Sequence, residues 1–363
     1  MNEIKNFHAA GSAYVLPNIH KILVLRPNAI GDFMFCLPAL AALKAAYPDA
    51  HLSFIGKSWH ADFMRDRPSP IDEVLVIPSV PGISVPPDAR CDGREIEHFC
   101  ASMRKRRYDL AVQIYGGGRY SNPFIKRLGA RHCIGLKAPD AEALDRSVPF
   151  VYLQNERLRF LEVVGLAGAR TVTLANPLVA IERDREEAAR VVPERKVPLV
   201  ILQPGASDVR RHWPTHNFAW VGDALASRGM RIVMCGIAGE RHLVADVIEN
   251  MRAPAIDLTG KLSLSGLCGL LERASLLISN DTGPLHLAVE MARPCVGIYW
   301  LTNLLVSGPL NQARHRAAMS IKIHCPICGQ ENVRARCEHD VCFVDDIAAD
   351  EVLAMAEDLL DER

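Results

Sequence analysis

Short apolar runs alternate with stretches of helical spacing from residue 21 onward. Residues 21–26, KILVLR, make a compact apolar run suited to a buried parallel strand. The polar loop Pro27-Asn28-Ala29-Ile30-Gly31-Asp32 follows. Phe33, Leu37, Leu40, Ala41 and Leu43 then recur at helical spacing as far as Tyr47-Pro48. Pro38, early in that stretch, predicts a bend or a shifted start. Residues 50–55 form the next strand, so the chain opens as strand, helix, strand, the unit of a parallel sheet. Further strands are predicted at 71–77 and 109–115. Between them Ile96, Phe99, Cys100 and Met103 mark a helix that closes on Arg104-Lys105-Arg106-Arg107, cations that suit a helix C-terminus. The same basic end would also suit an anionic lipid or a phosphorylated sugar acceptor.

The second half repeats the alternation. Residues 174–198 carry prolines and a charged helix and read as an inter-domain connection. An apolar strand at 199–202 runs into Pro204-Gly205-Ala206-Ser207. A polar loop at 208–212 leads to Trp213-Pro214 and a helix with Phe218, Val221 and Leu225 on one face. Residues 231–235 are another strand, and residues 276–299 read as strand, tight turn, helix, strand. In that last unit Leu276, Leu277 and Ile278 form the strand, and Asn280 and Asp281 end it. Thr282-Gly283-Pro284 then opens a helix whose apolar positions are Leu285, Leu287, Ala288 and Met291. A final helix, 348–360, has Val352, Met355 and Leu359-Leu360 on one face. The pattern predicts an α/β fold in two domains with parallel sheets. Its expected divisions are an extension at 1–20, a first domain at 21–176, a connection at 177–198, a second domain at 199–345 and a terminal helix at 346–363.

Candidate chemistry lies in the loops after the strands, where open α/β sheets bind ligands. The helix after Asp281 aims free amide groups and a positive dipole end at its own turn. Thr282, Gly283 and His286 there suit a phosphate or diphosphate, although the same residues suit an ordinary capped helix. The loop at 207–212 offers Ser207, Arg210 and Arg211 before a second helix start, a similar arrangement. Glu240 precedes a helix and suits its dipole. Asp32 at the start of the first helix is either a cap or a general base. The 27–32 loop has one glycine and is no dinucleotide fingerprint. Gly116-x-Gly118-x-x-Ser121 departs from that fingerprint at its third position, which weakens a nicotinamide or flavin reading.

Composition narrows the class. The chain has 363 residues, 49% hydrophobic and 23% charged, with a formal net charge of zero, so nothing global favours nucleic acid. No apolar run approaches the ~20 residues that span a bilayer, and residues 1–20 lack the apolar core of a signal peptide. A cytoplasmic protein is expected. Seven of its eleven cysteines are scattered singly as small core residues. The other four, Cys325, Cys328, Cys337 and Cys342, are clustered and can hold structural zinc or iron, stay as reduced thiols or pair as disulfides.

Several of these stretches together resemble glycosyltransferase family 9, the ADP-heptose:lipopolysaccharide heptosyltransferases and their relatives. The likeness rests on Gly31-Asp32 with Leu37-Pro38-Ala39-Leu40, on Pro204-Gly205-Ala206-Ser207 with Arg211-His212-Trp213-Pro214, and on Asp281-Thr282-Gly283-x-x-His286. These motifs follow in order over residues 21–345. The resemblance implies two Rossmann-like domains facing a cleft, the GT-B arrangement, with the terminal helix packed back on the first domain. It implies an inverting displacement needing no cofactor or divalent metal, and no Asp-x-Asp occurs anywhere in the chain. An ADP-sugar, ADP-heptose foremost, is the implied donor. A lipopolysaccharide core or related glycan or glycolipid is the implied acceptor, with peripheral contact at the inner membrane surface. Carried over by position, Asp32 is the base. Ser207, Arg211, Glu240, Asp281, Thr282, Gly283 and His286 meet the donor, and Asn28 and Arg119 meet the acceptor. A nucleotide-sugar epimerase of the same fold and a non-catalytic sugar-nucleotide binding protein remain as alternatives.

Overall fold

The structure is a computed structural model that describes residues 15–170, 174, 178–193, 196–311 and 313–362. The expected extension at 1–20 lies mostly outside the described residues, and the connection at 177–198 does so in part. Two six-stranded, wholly parallel sheets organise the chain. The first contains β1 (Lys21–Leu25), β2 (His51–Gly56), β3 (Glu73–Val76), β4 (Leu110–Gln113), β5 (His132–Lys137) and β6 (Arg146–Pro149). The second contains β7 (Leu199–Gln203), β8 (Arg231–Met234), β9 (Ala255–Asp257), β10 (Leu276–Asn280), β11 (Cys295–Trp300) and β12 (His315–Ser320). The spatial orders are β3-β2-β1-β4-β5-β6 and β9-β8-β7-β10-β11-β12. Each is the doubly wound order whose reversal, between β1 and β4 or between β7 and β10, opens a crevice at the strands' carboxyl ends.

The helices around the first sheet are α1 (Ile30–Ala46), α2 (Ser58–Met64), α3 (Gly93–Arg106), α4 (Ser121–Arg127) and α5 (Glu156–Gly165). The charged helix of the connection is α6 (Glu182–Val191). The second half adds α7 (Thr215–Ser227), α8 (Arg241–Asn250), α9 (Leu264–Arg273), α10 (Gly283–Glu290), α11 (Leu301–Ser307) and α12 (Ala349–Asp361). Strand side chains alternate between two apolar layers, as period-two geometry requires. Ile22, Val24, Leu52 and Phe54 face one layer, and Leu23, Leu25 and Ile55 face the other. Pro38 sits inside α1 without ending it, buried among Leu37, Ala39 and Leu40. The basic end of α3 is engaged locally: Arg104 pairs with Glu97 and Arg106 with Glu73.

The two halves are joined by packing as well as by chain. One apolar cluster runs from Phe33, Met34 and Leu37 of α1 to Leu285 and Leu287 of α10, and α1 packs directly on α10. The connection is more than a tether. α6 packs on α9, and its Asp184 forms a fully buried ion pair with Arg67, 2.8 Å apart, from the first half. The terminal helix corrects the expectation for residues 346–363. α12 packs on α7, β10, β11 and β12 of the second sheet, not on the first. Its stripe Val352, Ala356, Leu359 and Leu360 completes a cluster with Phe218, Leu225 and Ile298. Arg228 binds Glu357 and Asp361, and Arg316 binds Asp358 and Glu362. In the first half it is α5 that packs on α1.

Candidate active site

The crevices of the two sheets meet in one cavity of about 550 Å³. The first half contributes Ile30, Gly31, Asp32 and Phe35, from the start of α1. The second contributes the loops after β7, β8 and β10. The halves touch at the cavity floor. A Cβ on Gly31 would lie 2.7 Å from the His286 ring, and one on Gly283 would lie 2.1 Å from Ile30. A side chain at either position would force His286 or Ile30 to move, so both glycines allow the close approach of the halves. Gly205 serves similarly, since a Cβ there would stand 2.0 Å from the Glu240 carboxyl carbon.

Asp32 lies in the first turn of α1, and its side chain is about one-third exposed (34%). Ala29, not Asp32, occupies the cap position of α1. The Asp32 Oδ1 accepts from Arg26 Nη2 at 2.8 Å. Across the cavity, Thr282 precedes α10 with its hydroxyl unused as a cap. Its carbonyl accepts from the Leu285 (3.1 Å) and His286 (3.3 Å) amides and Pro284 has no N–H, so the Gly283 amide is the first-turn donor left to face the cavity. Arg211 reaches the same end of α10. Its Nη1 donates to the Asp281 carbonyl (2.8 Å) and Oδ2 (3.0 Å), and its Nη2 donates to Ser207 Oγ (2.8 Å). Arg210 points elsewhere. It grips Asp208 and lies over the Trp300 ring, which settles in favour of Arg211 which cation faces the cavity.

Asp281 is the keystone of this wall. It is 1% exposed and takes Arg211 on one oxygen, with His286 Nε2 (3.0 Å) and Ser307 Oγ (3.2 Å) on the other. Burial alone would raise its pKa. The hydrogen bond and charge of His286, together with Arg211, outweigh burial and pull it down to about 2. The His286 ring stands edge-on to Phe35, 4.6 Å between centroids. Glu240 accepts from the Ile237 amide (2.9 Å) and from Gln203 Nε2 (3.2 Å), and a wall of Leu258, Leu262, Leu264 and Leu267 lies nearby.

Eight of the expected residues therefore line one cavity: Asp32, Ser207, Arg211, Glu240, Asp281, Thr282, Gly283 and His286. Asn28 and Arg119 are not among its lining residues. Arg119 is 67% exposed and faces Asp140 at 3.7 Å. Sequence reasoning missed Arg26 and Glu156, which meet each other behind Asp32. The one available signal was a cation ending the buried run KILVLR.

The cysteine cluster also needs a correction. Ligand atoms of Cys325, Cys328, Cys337 and His339 all lie within 4.8 Å of one another, and Cys342 is not part of the group. Cys342 Sγ instead donates to the His212 carbonyl at 3.0 Å. Cys325-Pro326-Ile327-Cys328 forms a tight turn closed by the Gly329 amide on the Cys325 carbonyl (2.9 Å), with Gly329 at φ +73°. Hydrogen bonds from Asn332 and around His339 pull the Cys337 thiol down to about 6, which favours the thiolate a metal needs. Three thiols and an imidazole at this spacing fit zinc or iron. All eleven cysteines are free of disulfides.

The sequence model of glycosyltransferase family 9 (heptosyltransferase) matches residues 96–335. The chain belongs to glycosyltransferase family 9. It is 22% identical over 313 residues to the lipopolysaccharide core heptosyltransferase OpsX of Haemophilus influenzae, covering 80% of this chain and 82% of that one. Among solved structures it is similar to the family 9 glycosyl transferase of Veillonella parvula (TM-score 0.79, 20% identity, 97% and 100% covered). It is also similar to E. coli heptosyltransferase WaaC with ADP-2-deoxy-2-fluoro heptose (TM-score 0.64, 18% identity, 93% and 99% covered). The iron-containing dodecameric glycosyltransferase TibC of E. coli shares the fold more distantly (TM-score 0.56, 14% identity, 96% and 78% covered). This family 9 member is a glycosyltransferase with two Rossmann-like domains, so the epimerase and binding-protein alternatives give way. No helix among its described residues is long and apolar enough to cross a membrane.

Proposed function

We infer that the protein transfers heptose from ADP-heptose to a hydroxyl of a lipopolysaccharide core or related glycan by one inverting displacement. One observation carries this reading. A carboxylate from the first half, at the start of α1, and an arginine at the start of α10 from the second line the same cavity. The leucine wall and Glu240 suit a nucleoside, with the base on the leucines and a ribose hydroxyl on the carboxylate. Arg211 and the Gly283 amide at the positive end of α10 suit the diphosphate. With the donor seated there, Asp32 takes the proton of the acceptor hydroxyl as its oxygen attacks the anomeric carbon. The glycosidic bond to the diphosphate breaks, and ADP leaves with the bonding pair. Arg211 and the Gly283 amide stabilise the charge that gathers on the leaving oxygen.

Arg211→Ala tests the donor half of this reading. It should weaken ADP binding by about 1.5–3 kcal/mol, the range of a charge-assisted hydrogen bond. Calorimetry with ADP on the folded variant is the measurement. Unchanged affinity would remove Arg211 from the diphosphate site.

The cysteine and histidine cluster is read as a structural metal centre, held by Cys325, Cys328, Cys337 and His339. The ion would tie the 325–339 loop together and takes no part in the transfer. Elemental analysis of the purified protein should find zinc or iron near one equivalent. Cys328→Ser and His339→Ala should lose it, and Cys342→Ser should keep it. Metal lost from Cys342→Ser alone would restore the four-thiol assignment.

A further inference from the structure

Arg26 follows β1 directly and is 3% exposed. Its guanidinium lies over the Phe160 ring, 4.5 Å from the centroid, and Nη1 donates to the Ile114 carbonyl at 2.6 Å. Nη2 donates to two carboxylates at once, Asp32 Oδ1 and Glu156 Oε2, each at 2.8 Å. Glu156 stands at the start of α5, 130 residues from Arg26, and also binds the buried Arg159. The charges thus alternate from the cavity inward: Asp32, Arg26, Glu156, Arg159.

A buried guanidinium needs a carboxylate partner, and Glu156 already supplies one. The second bond, to Asp32, has a different consequence. It commits one oxygen of the cavity carboxylate to a rigid donor fixed by a ring, a carbonyl and an acid. Glu156 accepts from the same Nη2 and so anchors the guanidinium that holds Asp32. We propose that Arg26, steadied by Glu156, is the positioning residue of the catalytic base: it fixes Asp32 Oδ1 and leaves the other oxygen for the acceptor proton. The proposal rests on Asp32 being the base, as argued above.

Four proteins test it: Asp32→Asn, Arg26→Lys, the double variant and the unaltered chain. The assay is ADP release from ADP-heptose with heptose-free lipopolysaccharide core, alongside ADP titration and a melting curve. Lysine keeps the charge of Arg26 and loses its fork. A base moved by about an ångström should lower kcat about 10- to 100-fold, with donor KM and ADP affinity little changed. Placed on Asp32→Asn, the same change should cost nothing further, because there is no base left to position. An equal further loss in the double variant, or normal kcat in Arg26→Lys, overturns the role of Arg26. Normal kcat in Asp32→Asn, or no transfer by the unaltered chain, overturns the underlying reading instead. If Arg26→Lys fails to fold, Glu156→Gln takes its place, keeping an acceptor for Arg26. It should lower kcat several-fold in the unaltered chain and not in Asp32→Asn, and unchanged kcat overturns the proposal.

Discussion

Asp32→Asn should leave a folded protein that binds ADP normally and turns over at least ~100-fold more slowly, since a positioned base contributes ~10²–10⁴ in rate. Asparagine keeps the shape and can still accept from Arg26, but it cannot take the acceptor proton. A capping role predicts a different result, a loss of about 1 kcal/mol or less in stability with turnover nearly intact. The structure already weakens that alternative, because Ala29 holds the cap position and Asp32 spends Oδ1 on Arg26. A melting curve, an ADP titration and a turnover measurement on this one variant separate the two. Near-normal turnover would remove Asp32 from the mechanism and leave the donor site standing.

The parts of the site that were legible in sequence are those that a strand and its own following loop determine. Asp32, Arg211 and Thr282-Gly283 each sit just beyond an apolar run, and a parallel sheet brings such loops to one edge whatever the rest of the chain does. Pairings between distant segments were not legible. Nothing local to KILVLR names Glu156 as the partner of Arg26, because α5 must first pack on α1 to deliver it. The terminal helix shows the same limit. Its stripe of Val352, Ala356 and Leu359 announces a buried face without saying which sheet will bury it. Arginines 228 and 316, at the end of α7 and in β12, answer that question through ion pairs that periodicity cannot register. Thiol spacing misled for a related reason. Cys342 counts as a ligand on paper, yet its backbone follows the 210–212 loop, where Phe343 N bonds to the Arg210 carbonyl and Cys342 Sγ to that of His212. His339 is then left beside the other three thiols.

Asp281 illustrates how a residue can matter to donor binding without being open to the donor. It was expected among the donor contacts, and it is 1% exposed, with its carboxylate committed to Arg211, His286 and Ser307. Asp281→Asn should therefore act through its neighbours. Removing one charge of a buried, hydrogen-bonded pair leaves the other uncompensated, so the variant should lose about 3 kcal/mol of stability. With Arg211 no longer held at the α10 start, ADP affinity should fall at least about 10-fold, as for the loss of a charge-assisted contact. Acid should expose the same bond in the unaltered protein. Folding lowers the Asp281 pKa from 3.8 to about 2. The unfolded chain therefore binds this proton first as pH falls. The stabilisation is fully present above about pH 4 and is lost as pH drops through the folded value. Its size, from the difference of the two pKa values, is about 2 kcal/mol. Urea unfolding of both proteins from pH 7 down to pH 3 is the measurement. The gap between them should be constant near neutrality and narrow below pH 4. A gap that stays constant to pH 3, or an asparagine variant as stable as the parent, would mean that Asp281 does not carry the charge that holds Arg211 and His286 in place.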